Sequence, residues 1–457
     1  MHGLKKSFKA VLALSLCATF SSLHGQQEFT LHFNRDAVQS SFTNPAFRTD
    51  YKVTITLPSV IYNYGNNAFS YRDLIARDPV DDSTYIDIDG ILSKMKDKNL
   101  IQLQSYVDLI SIYFNVQDWY ISINVTEKFD SKMYYTRDLV NLLWNGNAQY
   151  IGQSIEIGPG INLQMYKEYG LRVGRHFEKF DVGARFKLLN GIANLNSARN
   201  SMVLTTGETN FESSLSTDYE VRQSGFEHLE PEGFNPFTGS RNTGFALDLG
   251  GVYRLNSKWE LSASVIDLGR IKWKTDVKKY KSNGTIAFSG IDIGDFISDD
   301  EFNFDKFQDS ITALYFQEEE GGTYISYLIP KTYVSGTFHP NEKTSFGALF
   351  QAEYFQGIQP GIGLYAGHNV NKFLQVGLSY AYKNRQFDNV GFNLNLGLPA
   401  FRIYVVTDNL LSFIRMGYAR NLTFRYGMNI NIGELGMKKK KKREKATEEP
   451  VPETPSE

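Results

Sequence analysis

Cysteine is almost absent from this chain of 457 residues, because the only one is Cys17, close to the N-terminus. A disulfide framework is therefore excluded, and so is a thiol nucleophile or thiolate metal site in the body of the chain. Proline is scarce, with 13 residues, whereas glycine (38 residues) and aromatic residues (14%) are plentiful. This composition favours many strands joined by turns.

Excess charge and long apolar runs are lacking as well. The formal net charge is only -2, so no global field attracts nucleic acid, and we do not expect nucleic acid as a partner. After the first 25 residues no run of 18 apolar residues occurs, so no transmembrane helix is predicted. The signatures G-x-S-x-G, H-E-x-x-H and the P-loop are absent and the histidines are scattered. We therefore predict neither an enzyme nor a bound cofactor or metal ion.

The first 25 residues have the pattern of a secretory signal peptide. A lysine-containing start (5–9) precedes the apolar segment 10–20, and small residues precede Gln26. The apolar segment is too short to span a membrane as a helix. A lipoprotein signal at Cys17 is the alternative, but Leu16 occupies the preceding position, where a small residue is needed. The sequence therefore predicts export.

Period-two alternation of apolar and polar residues is the most informative pattern in the chain. Successive side chains of a strand point to opposite faces, so each alternating segment has one apolar face and one polar face. The segments run for about ten residues, the length that crosses a bilayer when tilted, and aromatic residues recur near their ends. They include 119–126, 180–188, 259–265, 374–381, 392–398 and 422–432. The prediction is an all-β fold, a transmembrane antiparallel β-barrel rather than a soluble sandwich.

The connections between these segments alternate between short turns and long loops, the asymmetry typical of outer-membrane barrels. Thr136 is a predicted N-cap before an apolar-periodic run, and apolar residues at 303–316 have helical spacing. We therefore expect short helices in long extracellular loops. The long connections are 130–157, 190–243 and 275–329.

Several segments resemble a known family. They are "NPAF" (44–47), "GARFKLLNGIANLNS" (183–197) and "SASVIDLGRIKW" (262–273). Together with the signal peptide they are similar to an uncharacterised family, a domain of unknown function, of outer-membrane β-barrels in Bacteroidota, over nearly the whole mature chain. More distantly the chain resembles the superfamily of long-chain fatty-acid transporter barrels and of barrels related to type IX secretion. The resemblance implies about fourteen strands, an N-terminal hatch and a location in the outer membrane.

The resemblance also implies a role for Asn44, Pro45 and Ala46, because an Asn-Pro-Ala motif in that superfamily lies in a hatch folded inside the barrel. From the residues alone an ordinary turn is the alternative, since asparagine favours turns and proline fixes φ and lacks a donor. Asp267-Leu268-Gly269 recurs in related barrels without a known chemical role. The predicted organisation is a signal peptide (1–25), a hatch segment (26–50), a barrel (51–433) and a disordered basic and acidic periplasmic tail (434–457).

Charged residues of both signs fall on the predicted inward faces of the strands. They either brace a filled lumen through salt bridges or line a polar path for a solute. These residues are Asp181, Arg185, Lys187, Asp248, Glu260, Glu353, Arg402 and Arg425.

Two acidic clusters and one basic run remain outside the predicted strands. The clusters at 81–89 and 318–320 lack the spacing of a calcium-binding loop, so we interpret them as solvated loops rather than metal sites. The basic run at 438–443 is either a solvated part of the tail or a contact for anionic head groups or periplasmic polymer.

Two functions from different classes stay open. The first is hatch-gated passive uptake of a hydrophobic or amphipathic small molecule, which the resemblance favours. The second is a plugged barrel that acts as a scaffold or docking component for exported or surface proteins, as in type IX secretion. Membrane lipid and lipopolysaccharide are expected partners in both cases. A hydrophobic small-molecule ligand belongs to the first function, and a periplasmic or surface protein partner belongs to the second.

Overall fold

The computed structural model describes residues 28–78, 80–208, 212–229, 241–288, 297–298, 301–302, 317–355, 357–383 and 386–435. The predicted signal peptide, the predicted helix at 303–316 and the basic run of the tail lie outside the described residues. Among the helices that are described, none combines the length and the apolar character needed to cross a membrane.

Fourteen antiparallel strands form a closed barrel, as the alternation and the resemblance predict. The last strand pairs with the first, from Tyr51 opposite Glu434 to Gly65 opposite Asn421, which closes the ring. In chain order the strands are β1 (Tyr51–Thr56 and Ser59–Asn66), β2 (Lys98–Val116), β3 (Trp119–Thr136), β4 (Gly160–His176), β5 (Phe180–Thr206), β6 (Asn242–Arg254), β7 (Trp259–Trp273), β8 (Tyr324–Tyr327 and Lys331–Phe338), β9 (Thr344–Tyr354), β10 (Ile358–Asn371), β11 (Leu374–Lys383), β12 (Gln386–Leu398), β13 (Phe401–Thr407) and β14 (Asn421–Glu434).

The strand alternation separates an apolar outer face from a polar inner face. On β5 the outward side chains of Phe186 and Leu188 are 58% and 69% exposed, whereas those of Arg185 and Lys187 are buried. Large apolar side chains at this exposure would be unfavourable in water, and they match the lipid-facing band of a membrane barrel.

Short helices occupy the long connections, and one lies inside the barrel. Thr136 caps the helix that follows it, because its Oγ1 accepts a hydrogen bond from the Leu139 amide at 3.1 Å. The helices are α1 (Phe29–Phe33), α2 (Tyr71–Leu74), α3 (Ile88–Lys94), α4 (Arg137–Asn145) and α5 (Leu411–Ile414), with 3₁₀ turns at Val38–Phe42, Ala148–Tyr150, Phe226–Leu229 and Met416–Tyr418.

The prediction of a loop from 190 onwards is wrong for its first part, because β5 continues to Thr206. Beyond the barrel wall β5 pairs with Ser213–Ser224, which in turn pairs with Lys278–Phe288. The apolar side chains of this part of the chain, such as Leu195, Tyr219 and Val221, pack against one another rather than against lipid. The remaining short strands are Ile75–Arg77, Thr84–Ile86, Ser154–Glu156, Ile297–Ser298, Glu301–Phe302 and Gln317–Glu320.

Candidate functional site in the barrel lumen

Residues 28–50, here called the N-terminal segment, lie inside the barrel. The segment is irregular apart from α1 and the 3₁₀ turn Val38–Phe42, and most of its side chains are buried. α1 packs against the inner face of β10 to β13. A backbone without a strand ladder needs other hydrogen-bond partners when it is buried, and the inner wall of the barrel supplies them.

The Asn44-Pro45-Ala46 motif forms a turn whose polar groups are all directed to the wall or to itself. Asn44 Oδ1 accepts from the Ala46 amide at 2.9 Å. Asn44 Nδ2 donates to the carbonyl oxygens of Gly251 and Ala263 at 3.2 and 3.3 Å. The motif is therefore an asparagine turn that lies against the inner wall of the barrel, and its role as a hatch stays a prediction.

Side chains of the barrel wall donate hydrogen bonds to the carbonyl groups around this turn. Arg172 donates from Nη1 to the Phe47 carbonyl at 2.6 Å, and Tyr120 donates to the Ala46 carbonyl at 3.2 Å. Ser264 donates to the Thr43 carbonyl at 2.6 Å. The sequence analysis missed Arg172 and Tyr120. Arg172 could have been found by extending the alternation along β4, and Tyr120 occupies one of the inward positions of β3.

Inward-facing glycines give the N-terminal segment its space. A Cβ atom at Gly183 would lie 2.2 Å from the Pro45 carbonyl oxygen, and one at Gly250 would lie 2.1 Å from Asn44 Oδ1. Heavy atoms cannot approach so closely, so any larger residue would displace the segment. The five such positions are Gly183, Gly250, Gly347, Gly363 and Gly391.

His32 is the buried centre of the N-terminal segment. Its Nδ1 lies 2.9 Å from Thr43 Oγ1 and its Nε2 lies 3.0 Å from Ser335 Oγ. The ring stacks on Tyr333 with centroids 5.6 Å apart. Burial, with a smaller contribution from the Arg35 charge, holds the pKa of His32 well below its usual range. The ring therefore stays neutral and links the segment to β8.

Ion pairs hold the N-terminal segment near the short-turn end of the barrel. Arg35 pairs with Glu260 at 2.9 Å, and Asp36 pairs with Arg402 at 2.5 Å. Arg35 also lies over the Phe47 ring, 3.0 Å from its centroid. The predicted inward charges Glu260 and Arg402 thus face the segment itself.

The beginning of the segment is held from the opposite side, by the loop after β13. The Asp408 carboxylate accepts from the backbone amides of Phe29 and Thr30 at 3.1 and 2.8 Å. Burial raises the pKa of Asp408 to about 6, although these hydrogen bonds act in the opposite direction. Glu28 pairs with Arg425, another predicted inward charge, at 2.9 Å.

A central ion cluster crosses the lumen next to the segment. Lys187 Nζ lies 2.7 Å from Asp248 and 2.6 Å from Asp267. Lys128 Nζ lies 2.7 Å from Glu168, and all five side chains are buried or nearly so. Alternation predicted only Lys187 and Asp248 of these five.

The other predicted inward charges also have partners. Arg185 lies 3.6 Å from Asp248 and donates to Ser41 of the N-terminal segment at 3.3 Å. Glu353 pairs with the buried Lys132. Asp181 pairs with Arg254 and lies 2.5 Å from His176. These are the contacts of a braced lumen.

A β-bulge explains why Asp267 was missed. Asp267 has a left-handed backbone with φ of 60°, and the register of β6 against β7 shifts at this point. Ser262, Ser264 and Ile266 face inward before the bulge, whereas Ile271 and Trp273 face inward after it. A strict period of two cannot anticipate such a change.

The lumen has a polar cavity at its short-turn mouth and a much smaller one deeper within. A cavity of about 410 Å³ at this mouth is lined by charged groups that include Arg35, Asp50 and Arg254. Deeper, a cavity of about 30 Å³ lies between Glu28 and Lys128 and has room for about one or two water molecules. Neither cavity is the continuous apolar passage that open transport would need.

Comparison with known proteins gives a family and a set of remote structural likenesses. The model of a family described as "Family of unknown function (DUF5723)" matches residues 45–408. No curated protein matches the sequence.

Three solved structures show the extent of the structural likeness. The Ralstonia pickettii toluene transporter TbuX is 8% identical, with a TM-score of 0.45 and coverage of 90% of this chain and 97% of that one. The Pseudomonas putida toluene transporter TodX is 9% identical, with a TM-score of 0.40 and coverage of 90% and 98%. A Pseudomonas aeruginosa FadL homologue is 8% identical, with a TM-score of 0.39 and coverage of 90% and 100%. Likeness at this level carries no argument about function.

Proposed function

This chain belongs to the DUF5723 family of unknown function, and we propose that it is an outer-membrane barrel for passive uptake of a hydrophobic or amphipathic small molecule. The N-terminal segment, with its Asn44-Pro45-Ala46 turn, is the hatch that gates the lumen. The apolar outer band and the closed ring of strands support a membrane location. The charged residues of the lumen brace the closed state.

The character of the contacts between segment and wall supports movement of the hatch. Hydrogen bonds and ion pairs, such as Arg35–Glu260 and Asp36–Arg402, hold much of the segment. Water can replace such contacts at a small net free-energy cost per bond, since a typical hydrogen bond contributes about 1 kcal/mol. A segment held in this way can be released without unfolding the barrel.

The observation that carries the proposal is the position of Asp408, which joins the hatch to an outer loop. The loop 408–420 exposes four large apolar side chains, which together form a capture surface for an apolar solute. Binding at this surface would move the loop and with it the carboxylate that holds the Phe29 and Thr30 amides. The exposed side chains are Leu411, Ile414, Met416 and Tyr418.

A plugged scaffold is the second candidate, and the observation that favours it is that neither lumen cavity is a continuous apolar passage. Five inward glycines lie in close contact with the N-terminal segment. This close fit is expected both for a plug that stays in place and for a gate in its closed state. The two functions differ in one respect that can be measured, namely whether the segment must move.

A reversible disulfide tests the gate. Thr30 Oγ1 and Ser379 Oγ are 2.7 Å apart, and Cys17 of the predicted signal peptide is the only native cysteine. The pair Thr30→Cys/Ser379→Cys should lock the hatch to β11. In proteoliposomes, uptake of a radiolabelled long-chain fatty acid should stop in the oxidised variant and return on reduction.

The matched control is Thr217→Cys/Ser282→Cys, whose hydroxyl oxygens are also 2.7 Å apart but lie in the strands beyond the barrel. Its oxidation should leave uptake unchanged. Uptake that continues through the locked barrel would refute gating by the hatch. A complete lack of fatty-acid uptake and of ion conductance in the reduced and unmodified proteins would favour the scaffold.

A further inference from the structure

The bulge at Asp267 also changes what the outer wall presents to the membrane. After the bulge the side chains of Arg270, Lys272 and Lys274 face outward and are exposed. Without the shift in phase these three cations would point into the lumen, and Ile271 and Trp273 would face lipid. The bulge therefore places a row of positive charge on the outside of β7.

A fourth cation joins this row from the next strand. Thr243 of β6 is paired with Lys272 in the register, and continuing this antiparallel register by two residues places Arg241, just before β6, beside Lys274. Arg241 is exposed as well. We call Arg241, Arg270, Lys272 and Lys274 the outer basic ladder.

Among the described residues around the ladder, none compensates its charge. The outward positions of β6, β7 and β8 carry no acidic residue, and none of the four cations makes an ion pair within the residues that the structure describes. Arg270 instead lies over the Phe245 ring, 5.4 Å from its centroid, and is paired in the register with Tyr327. Phe245 and Tyr327 are 56% and 67% exposed.

The height of the ladder matches a membrane surface. Trp259 begins β7 at the short-turn end and contacts Phe338, with ring centroids 4.8 Å apart, as in an aromatic girdle. Arg270 lies 11 residues further along β7. At about 3.3 Å per residue and a tilt of about 40°, and with one residue taken up by the bulge, this separation is roughly 25 Å along the barrel axis. The apolar band of such a barrel is about 25 Å tall, so Arg270 lies at its outer edge and Lys272 and Lys274 lie at head-group level.

We infer that the outer basic ladder binds the phosphate groups of a lipid head group in the outer leaflet, and that this lipid is the phosphorylated lipid A of lipopolysaccharide. This inference depends on the outer-membrane location proposed above but not on uptake or on movement of the hatch. The aromatic rings of Phe245 and Tyr327 beside Arg270 pack against the acyl chains, while the cations contact the phosphates, as is usual for residues at an interface. The site therefore recognises phosphate that is attached to a membrane-embedded lipid.

Lipid binding in nanodiscs tests the inference. The wild-type barrel and the variant Arg270→Gln/Lys272→Gln are reconstituted in phosphatidylcholine nanodiscs, and binding of fluorescent phosphorylated lipid A is titrated. Each cation near an anionic surface contributes about 1 kcal/mol, or about fivefold, so loss of two should weaken binding roughly 25-fold. The charge-preserving variant Arg270→Lys/Lys272→Arg should bind about as well as the wild type.

Arg175→Gln is the matched control, because Arg175 is also exposed and lies over an aromatic ring, 5.2 Å from the Trp119 centroid, but at the short-turn end. It should leave lipid A binding unchanged. Equal binding by the wild type and Arg270→Gln/Lys272→Gln would overturn the inference, and so would an equal loss in Arg175→Gln. Lipid A that lacks phosphate should bind to the wild type as weakly as phosphorylated lipid A binds to Arg270→Gln/Lys272→Gln. Full competition by millimolar inorganic phosphate would instead identify a site for free anions and contradict the lipid assignment.

Discussion

The backbone amide of Asp267 donates a hydrogen bond of 2.8 Å to the Asp248 carboxylate, across the bulge between β7 and β6. This contact joins the inside and the outside of the barrel. On the inside, the Asp267 carboxylate contacts Lys187 at 2.6 Å and completes the central ion cluster. On the outside, the same bulge reverses the phase of β7 and exposes the basic ladder. The Asp-Leu-Gly triplet thus has a structural role that its sequence alone does not indicate.

The left-handed backbone of Asp267 gives the first prediction. Asp267→Gly and Asp267→Ala both remove the carboxylate, but only alanine has a Cβ atom that strains a φ of 60°. Asp267→Gly should therefore be more stable than Asp267→Ala by about 1 kcal/mol. The temperature at which gel migration changes on heating measures this difference. Ser264 lies in regular β-structure on the same strand, so Ser264→Gly should be less stable than Ser264→Ala. If glycine and alanine ranked in the same order at both sites, the bulge at Asp267 would be contradicted.

The buried pair between Lys132 and Glu353 gives the second. Both side chains are at most 2% exposed. Lys132→Met or Glu353→Gln alone leaves one charge buried without its partner, which should cost about 3–5 kcal/mol. The double variant should unfold at a higher temperature than either single variant. Additive losses in this double-mutant cycle would show that the two charges are not coupled.

The fit of the N-terminal segment against Gly250 gives the third. Gly250→Ala should shift the segment, because the new Cβ would meet Asn44 Oδ1 at 2.1 Å. Overpacking costs about 1–3 kcal/mol, which should raise the population of the displaced state roughly 5- to 150-fold. In a Ser41→Cys background, maleimide labelling measures that population. Gly251→Ala is the control, since its nearest atom is 3.7 Å away, and similar labelling of both variants would contradict the close fit.

The titration of Asp408 gives the fourth. Its pKa is raised to about 6 in this structure, whereas an exposed aspartate titrates near 3.9. Between these values the chain with the N-terminal segment docked binds more protons than the chain with the segment displaced, so acidification favours docking and a rise of pH through 6 weakens it. Labelling of Ser41→Cys, normalised to the exposed variant Asn256→Cys, should therefore increase from pH 4 to pH 7.

Asp408→Asn is the control for this titration. It removes the ionisable group and should make the normalised labelling independent of pH over the same range. A slope that persists in Asp408→Asn would assign the pH dependence to another group.

The predicted inward charges could be read from the sequence because strand parity is a local property. Asp181, Arg185 and Lys187 are separated by even numbers of positions, and the residues directly beside them are apolar. In a regular strand every second side chain points to the same face, so these three charges share one face. The partners of these charges could not be predicted in the same way. Lys187 meets Asp267 from 80 positions further along the chain, and only the closed ring brings them together.

The sequence by itself determined the barrel, because alternating segments of bilayer-crossing length can bury their backbone polar groups in a membrane only as a closed sheet. It also marked Asn44-Pro45 as a break in regular structure, because the dipeptide favours a turn. Only the tertiary structure decided that this break is buried in the lumen, that β7 changes phase at Asp267 and that Asp408 reaches the start of the N-terminal segment. These features depend on contacts between residues far apart in the chain, and local periodicity contains no information about them.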